Sequence, residues 1–230
     1  MAAIEVVLCS GFPTQLFLMV VLGALGLQAL DGAGRLVLGY IVVLSLIDSV
    51  LLLGLMFYFI WLHQESAREI FLGVQSPSVE VALGIVLTPI IVVAVVGGLS
   101  VIEAFAPWLR NVPENPFEAL LQSPANVLLF VLVSVVAGGL REELQRAFVL
   151  RRFEQHLGGG WLGLVVFSVA FGLGHLIQGW DAAIITGLLG AIWGTMYLVR
   201  RSALAAMVSH AGFNLSEIML AVLGGTVVAS

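Results

Sequence analysis

Few side chains in this sequence can move protons, and they fall in short groups. The run Arg141-Glu142-Glu143-Leu144-Gln145-Arg146 sets adjacent carboxylates between guanidinium groups. On a helix Arg146 can reach Glu142, four residues back, or Glu143, three back. His175 closes the segment Phe171-Gly172-Leu173-Gly174-His175, and His210-Ala211-Gly212-Phe213-Asn214 places an imidazole and an amide on one helix face. Together these groups suit hydrolysis of an acyl bond. A carboxylate in a dehydrated site is pushed toward neutrality and can take a proton from water, a His beside it can orient that water, and His210 and Asn214 are donors of the oxyanion-stabilising kind. Glu142, His175 and His210 could instead hold Zn²⁺ with an activated water, although no His-Glu-x-x-His helix is present. A covalent nucleophile has little support: Ser209 points about 100° away from His210 on the helix, and Cys9 lies near the N-terminus.

Plainer readings stand beside each of these. The charged run reads as a solvated helix end, but Ala147-Phe148-Val149-Leu150 resumes the apolar pattern after it. A lone His inside a membrane is more often a satisfied interhelical hydrogen-bonder than a catalyst.

What must position these residues is set by composition. Of 230 residues 60% are hydrophobic and 10% charged, against about 45–50% and about 25% in soluble domains. The sequence reads as an all-α, polytopic integral membrane bundle. All nine basic residues are Arg and the net charge is -5, which excludes a basic nucleic-acid-binding face; a single Cys excludes an internal disulfide framework. About seven apolar runs are each long enough to read as a membrane-crossing helix: Phe12 to Leu30, Leu36 to Leu62, Val81 to Ala104, Ala125 to Leu150, Trp161 to Ile177, Ala182 to Val199 and Ala203 to about Leu223. The N-terminal residues carry no basic cluster, which argues against a cleaved signal peptide. Arg68, Arg151, Arg152, Arg200 and Arg201 fall on the side of the N-terminus and put it in the cytoplasm, with the C-terminus outside.

With Arg151 and Arg152 snorkelling to the cytoplasmic interface, Glu142 lies about 14 Å inside it; His210 and Asn214 count about 13 and about 19 Å in from Arg201, and His175 about 21 Å from Trp161. Three helices therefore bring their polar groups to a similar depth. Outside the spans, His63 to Glu80 reads as an amphipathic interfacial segment. Asn115-Pro116-Phe117-Glu118 reads as the start of a short surface helix through Leu121. Gly187, Gly190 and Gly194 give the sixth span a small-residue stripe for close packing.

The ordered motifs carry a resemblance. Glu142-Glu143 with Arg146, then Phe171 to His175, then His210 to Asn214, resemble the CAAX prenyl protease and bacteriocin-processing family of intramembrane proteases, CPBP or Abi. The stretch from Gly194 to Leu204 is also similar, and the resemblance covers about Ala125 to Leu220. It implies a helical membrane bundle enclosing a polar, water-filled cavity, and the activity of an intramembrane endopeptidase. It divides the chain into residues 1–124, N-terminal helices with interfacial connectors, and 125–230, a catalytic core within the same membrane domain. A motif Glu and His175 would activate water, His210 and Asn214 would form the oxyanion hole, and Arg146 and Phe171 would support them.

The family pattern Glu-Glu-x-x-x-Arg is here one residue shorter, Glu-Glu-x-x-Arg. Glu142 is the favoured base, with Arg146 holding it from the i+4 position and Glu143 left free or paired with Arg141. The reaction expected is metal-independent, with no cofactor favoured and Zn²⁺ the alternative. The expected partners are membrane lipid and a peptide or protein substrate that enters from the cytoplasmic side; a prenyl group is not assumed. Competing readings are a non-catalytic scaffold of the same fold and a proton-coupled carrier.

Overall fold

A computed structural model of the protein describes residues 1–113 and 115–228, so Glu114 of the Pro-rich connector and the last two residues lie outside the described part. Helix α1 (Ala2–Leu8) meets α2 (Phe12–Ala24) at a 42° bend, where Gly11 takes φ 85°, a conformation that suits a residue without a side chain. Next come α3 (Leu38–Leu62), the short α4 (Ala67–Phe71), whose first turn is capped by the Ser66 hydroxyl, and α5 (Pro77–Phe105), which starts on a proline. Helix α6 (Pro124–Val133) is capped by Ser123. Its winding then widens to a π-helix over Ser134–Glu142 before tightening again as α7 (Glu143–His156). Gly158 and Gly159, both at positive φ, turn the chain into α8 (Gly160–Leu173), followed by α9 (Trp180–Arg200) and α10 (Leu204–Val228).

The fold is all-α, as composition and periodicity require. Helices α3, α5, α9 and α10 are long and apolar enough to cross a membrane, and the bent pair α1–α2 makes a fifth if it counts as one span. Exposed side chains along α5, among them Ile85, Val86, Ile90 and Val93, suit contact with lipid. The other two expected spans differ. Pro124 to His156 winds continuously but carries Arg141, Glu142, Glu143 and Arg146 at its middle, and α8 has 14 residues, about 21 Å of helix.

One end of the bundle is defined by ion pairs, Glu5 and Glu65 with Arg152, Glu154 with Arg201 and Glu80 with Arg200, and by a hydrogen bond between Glu5 and His63. Arg152 is 2% exposed and stacks over the Phe148 ring at 4.6 Å, so it does not reach out to water as expected; α1 and the segment after α3 supply its carboxylates inside the protein. The same end is packed solid by Met56, Phe71, Phe148, Leu150, Phe153 and Leu198 with their neighbours. Ile70 and Phe71 belong to that core, so the interfacial segment is partly an internal one. At the opposite end the helix expected after Asn115 is a single 3₁₀ turn, Glu118–Leu120, because the Asn115 side chain accepts the amide of Phe117, two residues on, and closes a tight turn. The glycine stripe packs as anticipated: Gly190 lies against Phe171 and Ser168, and Gly194 against Leu164 of α8.

Candidate active site

The π-helical stretch, α8 and the residues just past it, and helices α9 and α10 all contribute to the lining of one cavity of about 1340 Å³, which includes Glu142, Phe171, His175, Trp193, His210 and Asn214 among others. The π-helical stretch delivers Glu142 to the cavity wall, and the next residue, Glu143, is turned inward, where it is 2% exposed. There the Glu143 carboxylate accepts a hydrogen bond from Arg146 and lies 2.7 Å from Nδ1 of His210. The expectation that Arg146 holds Glu142 is therefore corrected: its partner is Glu143, because both lie on the face of α7 buried against its neighbours. Arg141 does not pair with Glu143 either. It binds Asp48 of α3 at 2.9 Å and Gln145 at 3.1 Å.

Arg146 is itself enclosed by rings, its guanidinium carbon 4.8 Å from the centroid of Phe171, 5.6 Å from Phe167 and 5.8 Å from Trp193. Two of its nitrogens lack hydrogen-bond partners, and the aromatic faces compensate them in part through cation–π attraction.

With Nδ1 of His210 taken by Glu143, Nε2 looks toward Glu142, 3.9 Å from its Oε2. That gap is too long for a direct hydrogen bond. Asn214, one turn along α10, donates at 3.1 Å to the backbone oxygen of Ser134 in the π segment. Gly138 explains how the two groups share one space: a Cβ there would lie 2.5 Å from the Asn214 amide nitrogen and 3.9 Å from His210 Nε2. His175, just past the end of α8, donates through Nδ1 to the Phe171 carbonyl at 2.9 Å, which leaves Nε2 of the neutral ring as an acceptor. Its ring centroid is 4.9 Å from that of Phe171, which is in turn 6.4 Å from His210. Among the described residues no cluster of three or more His, Cys, Asp or Glu side chains has the geometry to hold a metal ion.

Residues 124–216 match the family model for type II CAAX prenyl endopeptidase Rce1-like proteins. They form a Rce1-like domain of the CPBP family. Neither a curated protein nor a solved structure gives a match to the chain. The Rce1-like domain contains every residue of the candidate site described so far except Asp48, the α3 partner of Arg141. The N-terminal helices nonetheless grip it. Gln145 donates to the Cys9 carbonyl at 2.9 Å, and Asp48 accepts from Thr14 as well as from Arg141.

The cavity is shared between the Rce1-like domain and the rest of the chain, and its outer part is lined by Glu103, Arg110, Glu118, Asp181 and Glu217, at the end away from Arg152, Arg200 and Arg201. An arginine-rich cytoplasmic end and access from the cytoplasm, both expected from the sequence, therefore pull in opposite directions, since the arginine end is filled with side chains. Asp48 and Trp193 went unremarked in the sequence reading. Asp48 is the sole ionisable residue between Leu36 and Leu62 apart from two tyrosines, and a lone charge in such a run is the signal that could have found it. Trp193 sits as one bulky side chain within the glycine stripe.

Proposed function

We propose that the protein is an intramembrane endopeptidase in which Glu142 activates water. The observation that carries this reading is that, inside one cavity, the Glu142 carboxylate lies 3.9 Å from Nε2 of His210, and that atom and the Asn214 amide both border Gly138. In the proposed reaction Glu142 takes a proton from a water molecule, and the hydroxide attacks the peptide carbonyl carbon. The developing oxyanion accepts hydrogen bonds from the Asn214 amide and from Nε2–H of His210, which donates there as the imidazolium while its Nδ1–H stays on the Glu143 carboxylate. The C–N bond then breaks, and the proton held by Glu142 passes to the leaving amine. His175, with Nε2 free to accept, orients the water. Glu143 keeps His210 in place, Arg146 holds Glu143, and Phe171 packs against Arg146. No step runs through a metal.

The proposed topology has seven crossings with the N-terminus in the cytoplasm, in line with the arginine distribution. A catalytic core, residues 125–230, is steadied by residues 1–124 through Asp48, Thr14 and Cys9. The substrate is a peptide that reaches the cavity at its open, carboxylate-bearing end. On this topology that end faces away from the cytoplasm, in place of the cytoplasmic access first expected.

The test is cleavage of a panel of membrane-inserted peptides by the purified wild type, with and without a chelator, beside Glu142→Gln and His175→Ala. Cleavage that survives the chelator and is lost in both variants supports the reading. Equal activity in all proteins, or none in the wild type, overturns it, the latter in favour of a scaffold.

A further inference from the structure

We infer that Trp193 is a positioning residue for His210. This rests on the endopeptidase reading for its consequence, though not for its geometry. The indole and imidazole rings lie nearly parallel, 13° apart, with centroids separated by 3.8 Å. Trp193 is 1% exposed, and its N–H donates to the hydroxyl of Ser209 at 3.3 Å. One side chain of α9 thus holds two consecutive residues of α10, the first by its edge and the second by its face.

The stack fixes what the Glu143 hydrogen bond cannot. A single bond at Nδ1 leaves the imidazole free to swing about the axis through that atom, and swinging carries Nε2 away from Asn214. A flat aromatic surface against the ring removes that motion, so Nε2 stays aimed at the space beside Gly138. The imidazolium form of His210 that donates to the oxyanion is also stabilised by the indole face. The edge of Phe171, with its ring plane at 89° to that of His210, bounds the imidazole from another direction. Trp193 also borders the cavity and Arg146, but at 1% exposure it offers a substrate little surface, so its loss should lower turnover through His210 and leave substrate affinity largely intact.

Two measurements test this. The first is carbethoxylation of the histidines by diethyl pyrocarbonate, followed peptide by peptide with mass spectrometry, with His63 and His156 at the arginine end as internal references. Trp193→Leu should raise the rate at His210 severalfold over wild type and leave the references unchanged, with Ser209→Ala, a milder change at the indole edge, in between. An unchanged His210 rate in both variants overturns the inference. The second is steady-state cleavage of a peptide that the wild type cuts. There kcat should fall about tenfold in Trp193→Leu, as expected when a group is held loosely, with KM within about twofold, and Trp193→Phe should recover most of the loss. Equal losses in the Phe and Leu variants also overturn it. If the wild type cuts no peptide, the function reading fails and the carbethoxylation rates still decide the role of Trp193.

Discussion

Glu143 of α7 and His210 of α10 face each other with 2.7 Å between carboxylate oxygen and Nδ1, a bond that joins two helices 67 residues apart in sequence. On the endopeptidase reading, adjacent carboxylates thereby acquire different duties. Glu142 should be needed for chemistry alone, and Glu143 for chemistry and folding. Glu142→Gln is expected to cut the cleavage rate by at least about 100-fold, the low end of what a general base contributes, with little change in melting temperature. Glu143→Leu strands the buried Arg146 and should cost about 3–5 kcal/mol. Thermal unfolding in detergent beside activity separates the two, and a Glu142 variant as destabilised as the Glu143 variant would refute the division.

Gly138 offers a way to disturb the Asn214 amide without altering any reacting group. A methyl there would meet the amide nitrogen at 2.5 Å, and that nitrogen is the tip of a side chain that can swing aside. Gly138→Ala should therefore fold normally and, on the endopeptidase reading, lose activity by about tenfold or more, because one proposed oxyanion donor is displaced. Wild-type turnover would mean that the amide plays no part.

Gly172 makes the opposite case. A Cβ there would lie 2.5 Å from the backbone oxygen of Ala183 and 3.1 Å from the Cα of Gly187, and backbone does not step aside. Gly172→Ala should destabilise the α8–α9 pair by about 1–3 kcal/mol, as overpacking does. The melting temperature would show it, and a neutral result would mean that the two helices can separate freely.

At the arginine end, hydrogen bonds from Arg201 above all, then Arg201's charge and Arg151, hold the Glu154 carboxyl below the ordinary carboxylate range against a smaller opposing effect of burial. A depressed pKa means that the unfolded chain takes up the proton first as pH falls. The stabilisation is fully present above the unfolded carboxylate pKa and is lost as pH drops through the lower folded value. Arg201→Gln should flatten that acid limb in a plot of melting temperature against pH; an unchanged limb would exclude Glu154 as its source.

Much of the site could be read from residue type and spacing, because helix periodicity alone puts His210 and Asn214 on one face and brings Arg146 within reach of the carboxylates. The choice between Glu142 and Glu143 could not. It depends on a π-helical stretch, and nothing in Ser134-Val135-Val136-Ala137-Gly138-Gly139 declares that the winding widens there. The contacts of Gly138 and Gly139 with α10 explain the glycines only once the neighbour is known. Arg152 misled for a similar reason. An arginine near a helix end reads as one that reaches water, and only the fold brings Glu5 and Glu65 to it. Trp193 was hidden by its surroundings, since a tryptophan in an apolar helix usually signals packing.

The solid packing around Phe71, Phe148 and Leu198 has a consequence for traffic. With that end closed, water, substrate and fragments pass by the opposite end or between the helices. On the endopeptidase reading a long polypeptide is therefore not threaded from one membrane face to the other; a flexible stretch dips in, is cut and withdraws.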